Sequence, residues 1–234
     1  SEMCIRDSNE AVWQALSSST LNNHTAKYYY QDEDGRGGVT ATSPNYPITG
    51  YVIKKYNNPM DAWTGTGARH IQKAYPIIRY AEILLSYAEA LNNLTGPHTV
   101  ELDGQPYTMS RDKEEIKKAF NQVRYRAGLP GLTANQLNST PEVQKQIERE
   151  RMVEFLWENR RFYDVRRWGI YEETEQEPIR GMNPDGATKE TYYQRVIPSS
   201  SSFLTRVVDK RSVWVPIPRN EMRRLPSLDQ NPGY

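Results

Sequence analysis

The sequence predicts a mainly α-helical protein built from helical hairpins, with an irregular loop-rich region and few short strands. Three segments after residue 76 repeat apolar residues at spacings of three and four, as helices with buried faces do. No strands alternate with these helices, which argues against a parallel-sheet protein. Residues 21–75 are rich in Asn, Gly, Thr, Pro and Tyr and lack a helical period, which predicts loops.

The first 75 residues contain two candidate elements. Residues 9–20 are predicted to form a short helix with its apolar residues on one face. Gly50–Tyr56, which reads GYVIKKY and lies between two prolines, is the best strand candidate of the loop-rich region.

The first strong helix is predicted in the segment PIIRYAEILLSYAEALNNLTGP, which begins at Pro76. A proline fits the first helical turn, and Gly96 with Pro97 ends the helix. Ala81 and Ala88 lie seven residues apart on one face, so we expect another helix to approach closely there.

The second helix is predicted in RDKEEIKKAFNQVRYRAGLP. Ser110 or Asp112 is the candidate capping residue at its start. Gly128, followed by Pro130, is a typical helix end.

The third helix is predicted to begin at Thr140–Pro141 and to run without interruption to Gly169. Residues 147–169 carry six arginines and five acids among ten large apolar residues. Such a segment could be an anion or nucleic-acid site, or an ion-paired structural helix. The near balance of charges favours the structural interpretation. On a helical wheel the charged residues form one stripe: Glu150, Arg151, Glu154, Glu158 and Arg161. The remaining circumference is apolar, and we assign Trp157 and Trp168 to the core.

The last part of the chain is predicted to be less regular. Residues 170–212 are polar and turn-rich and are interpreted as an insertion loop. Val213–Pro218 is predicted to be extended, and the segment NEMRRL to add one helical turn.

Composition excludes several classes of function. The net charge of +1 gives no reason to expect nucleic acid or an anionic membrane as a partner. The one cysteine, Cys4, excludes an internal disulfide, and no apolar run is long enough for a transmembrane helix. The three histidines are scattered, DEDGRGG fits a calcium loop poorly, and no nucleotide or nucleophile motif occurs, so no cofactor or metal is expected.

Four segments together resemble one family. YPIIRYAEILLSYAEALN, FNQVRYRAGLP, IERERMVEFLWENRRFYDVRRWG and PIPRNEMRRLPSLDQNPGY resemble the C-terminal half of SusD/RagB-type outer-membrane lipoproteins of Bacteroidetes. The segments occur in the family's order and span residues 75–234. The resemblance implies a mainly α protein of tetratricopeptide-like helical hairpins.

The resemblance also implies a division of the chain. Residues 1–8 are interpreted as a non-native segment, and residues 9–234 as the C-terminal portion of one SusD-like domain. Within that portion, 9–75 is the candidate ligand region and 76–234 the helical family core. The family's N-terminal helices, signal peptide and lipid-attachment cysteine are expected to lie outside this chain, which leaves apolar faces of its helices uncovered.

The function implied is non-catalytic capture of an oligosaccharide or polysaccharide at the surface of the outer membrane. The captured glycan passes to a SusC-like TonB-dependent transporter, the expected partner, and an N-terminal lipid anchor supplies the membrane association. The alternatives are a tetratricopeptide-like interaction scaffold, or a lid that captures peptides and not glycans. A hydrolase is the least favoured hypothesis.

Residues 28–70 contain the groups that a glycan site requires. Sugar C–H groups pack on flat aromatic faces, and sugar hydroxyls bind amides, carboxylates and guanidinium groups. The predicted ligand-binding residues are Trp63, Tyr28, Tyr30, Tyr46, Tyr56, Asn57, Asp61 and Arg69. Trp63 is the first choice, and residues 170–212, with Tyr192 and Tyr193, form a second candidate region. The alternative is that these tyrosines pack loops against the helices.

Overall fold

The computed structural model describes residues 12–17, 20–38, 46–53, 55–58, 61, 68–198 and 206–234. Within this part of the chain the protein is mainly helical, with short strands paired as hairpins, so the predicted fold class is confirmed. The tetratricopeptide-like pairing of the helices stays a prediction. The helices are α1 (Tyr80–Asn92), α2 (Lys113–Arg126), α3 (Ala134–Leu137), α4 (Thr140–Glu154), α5 (Arg160–Arg167), α6 (Tyr171–Glu175), α7 (Lys189–Tyr192) and α8 (Arg219–Arg224).

The strands form three antiparallel pairs. They are β1 (Val12–Ser17) with β2 (Thr20–Thr25), β3 (His98–Leu102) with β4 (Gln105–Met109), and β5 (Gly181–Met182) with β6 (Arg195–Val196). The chain forms two compact units. The described residues of the first unit lie in Lys54–Arg161, and the second unit contains Asp7–Ile53 and Phe162–Tyr234. The predicted division at residue 75 stays a prediction.

The core of the first unit lies among α1, α2 and α4. The predicted close approach to α1 is confirmed, because Ala81 and Ala88 are both buried in this core. Leu85 on α1, Ile116 on α2 and Ile147 on α4 are fully buried. Ala81, Leu85, Ala88 and Leu91 of the periodic series on α1 therefore do form the contact between these helices, whereas Tyr80 of that series is 69% exposed.

The start of α1 differs from the prediction. The helix begins at Tyr80 and not at Pro76, because Arg79 has extended backbone (φ −123°, ψ 153°) at the N-cap position. Its guanidinium bonds to Glu154 and Glu158 in this position. Ile77 precedes the helix and is 82% exposed.

The predicted boundaries of α2 are confirmed. Asp112, one of the two candidate caps, accepts hydrogen bonds from the backbone N–H groups of Glu114 (2.9 Å) and Glu115 (3.1 Å). Gly128 follows the helix with φ 68°, a conformation that glycine adopts without strain.

The β3–β4 hairpin was not predicted. Asp103 (φ 52°) and Gly104 (φ 72°) link its strands, and both central residues of a type I′ turn require positive φ. Asp-Gly between short strands is a strong hairpin signal. The dipeptide was therefore sufficient to predict this element.

The third predicted helix is wrong as one continuous helix. Its N-cap is Ser139, one residue before the predicted cap, and α4 ends at Glu154. Residues 155–159 form turns in which Trp157 (φ 64°) and Asn159 (φ 59°) have left-handed backbone. This backbone is unfavourable for a bulky residue, so neighbouring contacts must hold it.

Two cations from distant parts of the chain bind the end of α4. The Lys55 ammonium donates to the carbonyl oxygens of Glu154 and Leu156, at 3.0 Å each. The Arg79 guanidinium also donates to the Glu154 carbonyl, at 3.0 Å. These carbonyls have no partner further along the helix, and bound cations stabilise the C-terminal end of a helix dipole.

Three acids of the charged stripe, Glu150, Glu154 and Glu158, are buried and ion-paired. Glu154 binds Arg79 (2.7 Å) and Arg126 (2.6 Å), and Glu158 binds Lys55 and Arg79. The structural interpretation of this segment is confirmed. The assignment of Trp157 to the core is wrong, since it is 61% exposed.

Two arginines outside this stripe have acceptors. Arg160 donates to the Ile77 carbonyl (2.6 Å) and to the Glu82 carboxylate (2.8 Å). Arg167 donates to Asp164 at 2.8 Å. Trp168 is half-buried.

The second unit corrects one predicted element. The predicted helix over residues 9–20 is wrong, because Val12–Ser17 forms β1 and pairs with β2 from Val12↔Thr25 to Ser17↔Thr20. β1 reads VWQALS, and its Val and Trp favour a strand that has a partner.

The predicted strand Gly50–Tyr56 is also wrong in the residues that the structure describes. Gly50 (φ 68°) lies in a turn closed by its N–H to the Pro47 carbonyl at 2.7 Å. Tyr56 has φ 63° in a second turn. Positive φ at both ends excludes the extended backbone of a strand.

Residues 170–212 contain more regular structure than an insertion loop. They include α6, the β5–β6 pair, α7 and the start of a 3₁₀ turn at Lys210–Val213. After this turn Trp214 has extended backbone (φ −104°, ψ 140°), and α8 is the predicted helical turn near the C-terminus.

Replacement of Arg79 by methionine tests the buried charges. The change leaves the carboxylates of Glu154 and Glu158, which are 4% and 5% exposed, with fewer cationic partners. Removing one member of a buried ion pair costs about 3 kcal/mol, and we expect that loss in the free energy of unfolding in urea. The control is Lys117→Met at an exposed pair with Glu114, where the loss is under about 0.5 kcal/mol. An equal loss in both variants contradicts the prediction.

The pH dependence of the free energy of unfolding tests the contribution of Glu154 separately. Burial raises the pKa of Glu154, but hydrogen bonds from Arg126 and Arg79 outweigh burial and lower that pKa below its ordinary value. The carboxylate therefore stabilises the fold above its unfolded pKa, and this contribution is lost as the pH falls through the folded pKa. In urea unfolding we expect Glu154→Gln to be less stable than the parent at pH 7. The difference shrinks as the pH falls below about 4.5, and a constant difference down to pH 3 contradicts this assignment.

Candidate ligand-binding site

Tyr192 is the centre of a tyrosine cluster in the second unit. It is 1% exposed, and its hydroxyl donates to the Gly50 carbonyl oxygen at 2.6 Å. The rings of Tyr29 and Tyr193 each meet the Tyr192 ring edge to face, with centroids 5.4 Å apart. Burial, followed by the neighbouring tyrosines, raises the pKa of Tyr192. In this second candidate region Tyr192 therefore packs the loops together, as the alternative interpretation holds.

The local sequence fixes Tyr192 in this position. Thr188 and Thr191 form a reciprocal capping box at the start of α7, which ends at Tyr192. A Cβ atom on Gly186 would collide with the backbone of Thr191 and Tyr192. Glycine is thus required where this turn crosses α7.

The segment DEDGRGG forms a series of turns beside this cluster. The Lys27 N–H donates to the Asp34 carboxylate (3.0 Å), and the Gly37 N–H donates to the Tyr30 carbonyl (2.5 Å). The Tyr30 N–H donates to the Gly186 carbonyl at 2.9 Å. The backbone of Tyr30 is therefore held on two sides, while the residue is 37% exposed.

Arg36 joins this loop to two further groups at the surface. Its guanidinium binds the Asp185 carboxylate at 2.7 Å and lies 5.9 Å from the centre of the Tyr46 ring. The side chains of Arg36 and Asp185 are 38% and 55% exposed. We call the group Tyr30, Arg36, Tyr46 and Asp185 the Arg36 surface. It combines one exposed and one half-buried aromatic ring with one donor and one acceptor group.

Tyr28 has a different environment from Tyr30. Burial and the neighbouring charge of Asp34 raise the pKa of Tyr28 to about 12. Its ring is half-buried, which suits packing better than contact with a ligand.

The other predicted residues that the structure describes lie in the first unit. Tyr56 packs its ring against Tyr75, with centroids 5.1 Å apart. Asp61 accepts hydrogen bonds from the Ile71 N–H (2.8 Å) and from the Lys73 ammonium. The hydrogen bond from Lys73 is the main cause that lowers the pKa of Asp61. Tyr56 and Asp61 thus have structural contacts of their own.

Asn57 and Arg69 are exposed in the first unit. Trp63, the first choice from the sequence, lies outside the described residues. The predicted set therefore divides between the units, with Tyr28, Tyr30 and Tyr46 in the second.

The sequence did not indicate Arg36 or Asp185 as site residues. They are 149 positions apart, so no local pattern could pair them. The proximity of Arg36 to the predicted tyrosines was the one available signal.

The described residues hold no group of three or more His, Cys, Asp or Glu side chains that could bind a metal ion. None of their helices has the length and apolar character needed to cross a membrane.

Fold and surface together define a mainly helical protein with an exposed, mixed aromatic and charged surface. A sequence profile of the SusD family matches residues 8–234. A SusD-like protein P2 from Formosa agariphila is 26% identical over 231 residues, covering 88% of this chain and 39% of that protein. The chain belongs to the SusD family, and the predicted resemblance is confirmed.

Solved structures agree with this assignment. A SusD-like protein from Bacteroides fragilis is 27% identical with a TM-score of 0.66, over 97% of this chain and 37% of that one. A SusD superfamily protein from Bacteroides vulgatus, at 22% identity, has a TM-score of 0.51 over 98% and 39% and supports the fold alone. The chain spans about two fifths of the length of these relatives.

Replacement of Tyr192 by phenylalanine tests the tyrosine cluster. The change removes the hydroxyl that binds the Gly50 carbonyl and leaves a buried acceptor without this partner. We expect a loss of about 1–2 kcal/mol in the free energy of unfolding, measured in urea. Tyr30→Phe, at an exposed ring, is the matched control and changes stability by less than about 0.5 kcal/mol. Equal stability of the Tyr192 variant and the parent would show that the hydroxyl is not needed.

Proposed function

We propose that this chain is part of a non-catalytic, cell-surface protein that binds an oligosaccharide or polysaccharide. It delivers the glycan to a SusC-like TonB-dependent transporter in the outer membrane. An N-terminal lipid anchor outside this chain holds the protein there. Membership of the SusD family supports this proposal, and the Arg36 surface is the observation in the structure that carries it.

The Arg36 surface has the chemistry that a sugar requires. The exposed ring of Tyr30 and the half-buried ring of Tyr46 suit the C–H faces of pyranose rings. The Arg36 guanidinium donates hydrogen bonds to hydroxyls, and the Asp185 carboxylate accepts them. The ion pair between Arg36 and Asp185 fixes both groups before a ligand arrives, which lowers the entropic cost of binding.

The remaining predicted ligand residues form a second proposed set. Trp63, Tyr28, Tyr56, Asn57, Asp61 and Arg69 have suitable side chains. Of these, Asn57 and Arg69 have the exposure that contact with a ligand requires.

One observation favours the alternative of a protein-interaction scaffold. The apolar residues Tyr80, Ile83 and Tyr87 on α1 are 69%, 55% and 42% exposed. With Leu84 they line a cleft of about 240 Å³ beside α2. Contiguous exposed apolar residues of this kind mark interaction surfaces.

Affinity electrophoresis tests the proposal directly. The chain is run through native gels that contain starch, cellulose derivatives, laminarin, xylan, mannan or pectin. We expect slower migration in one gel, without release of reducing sugar. Tyr46→Ala and Arg36→Ala should each weaken that binding about fivefold, because each removes one contact worth roughly 1 kcal/mol. Tyr125→Ala, at a 62% exposed tyrosine on α2, is the control and keeps the parent's affinity.

The other outcomes are equally informative. Unchanged migration in every gel supports a scaffold or a peptide-capturing lid. Release of reducing sugar supports a hydrolase and contradicts non-catalytic capture. Slower migration that both variants retain moves the glycan site to the second proposed set.

A further inference from the structure

The second unit has a cleft of about 610 Å³ near its C-terminal end. Its walls include Trp214, the acids Glu172 and Asp209, and the bases Lys210 and Arg211. The volume lies within the range of about 300–1,000 Å³ that is typical of small-molecule sites. None of these five residues belongs to the predicted ligand set.

One wall of the cleft is fixed by an arginine of α5. The Arg166 guanidinium donates to the carbonyl oxygens of Ser212 (2.9 Å) and Val213 (3.0 Å). The same guanidinium lies 3.6 Å from the ring centre of Phe162 and 4.3 Å from that of Tyr171. Because hydrogen bonds and two rings both hold Arg166, the backbone before Trp214 is held in place.

The C-terminal residues hold the backbone of Trp214 and the residue after it. The Asn231 amide donates to the Val215 carbonyl at 2.7 Å, and the Tyr234 hydroxyl donates to the Trp214 carbonyl at 3.3 Å. The Trp214 backbone is thus tied to neighbouring elements, yet the residue is 58% exposed. An exposed indole on a backbone that is held in place offers a flat surface to a ligand.

The side chains around this indole carry equal numbers of positive and negative charges. Asp209 binds Arg211 at 3.1 Å, and both side chains are about half exposed. In the part of the chain that the structure describes, no ion pair or side-chain hydrogen bond engages Glu172 or Lys210. Two carboxylates and two cations leave no net charge, which gives no preference for an anion or a cation. Charged groups of both signs beside an aromatic and otherwise apolar wall suit a ligand that has both C–H faces and hydroxyl groups, as a neutral sugar has.

We propose that this cleft is a sugar-binding subsite, separate in its residues from the Arg36 surface. Trp214 stacks on one pyranose ring, and Glu172, Asp209 and Arg211 bond to its hydroxyls. The inference rests on the proposed glycan-binding function and adds a second set of contacts to it.

The test measures binding of simple sugars to the chain and assigns it to this cleft through variants of Trp214. Saturation-transfer NMR is run with methyl glycosides of glucose, mannose, galactose and xylose at millimolar concentration. We expect transfer to the C–H protons of one glycoside, reduced about fivefold by Trp214→Ala, since stacking on one ring is worth roughly 1 kcal/mol. Trp214→Phe retains an aromatic face and keeps more than about half of the signal. The matched control is Trp157→Ala, at another exposed tryptophan, and it keeps the parent signal.

Each result decides between the two proposals. Transfer that Trp214→Ala leaves unchanged, or no transfer from any glycoside, overturns the subsite. If the polysaccharide gels still slow the chain in that case, glycan capture stands without this cleft. Circular dichroism of each variant confirms that a lost signal does not come from unfolding.

Discussion

The first unit depends on a buried ion-pair network around Glu154 and Glu158. Burying a carboxylate is costly unless cations and hydrogen bonds replace its water. Arg79, Arg126 and Lys55 supply these partners. Lys55 and Arg79 also bind carbonyl oxygens at the end of α4, so one network both neutralises the buried acids and ends the helix. It also keeps Arg79 extended, which sets the first residue of α1.

This network explains which parts of the fold the sequence could predict. The ends of α2 depend on Asp112 and Gly128, which lie beside the helix in sequence, and both were predicted. The break after α4 depends on Lys55, about 100 positions earlier, and no periodicity in residues 140–169 could indicate it. Apolar spacing therefore located the core residues of α1 correctly but gave the wrong length for the third helix. The Asp103–Gly104 turn is different, because its signal was local and was missed.

The candidate site shows the same division between features that the local sequence indicates and contacts that form only between distant residues. Tyr30 and Tyr46 could be proposed because aromatic residues with polar neighbours suit sugars, and such residues can be recognised from the local sequence alone. The partners that turn these rings into a surface are Arg36 and Asp185, which meet only in the folded chain. The sequence also could not indicate which rings are buried. Tyr192 is buried, whereas Trp157, which was assigned to the core, is exposed. Residue type thus indicated the chemistry, and the tertiary fold decided which rings are accessible.

The arginines show how the two units use similar side chains differently. Arg79 and Arg126 in the first unit bind buried carboxylates, and their contribution is to stability. Arg36 in the second unit lies against a ring and pairs with an exposed acid, where an ion pair adds little to stability. This exposed pair places one donor and one acceptor beside an aromatic ring, which is the arrangement that the proposed glycan site uses. The sequence is nearly neutral overall, yet its arginines include two kinds, one that stabilises the fold and one that is available at the surface.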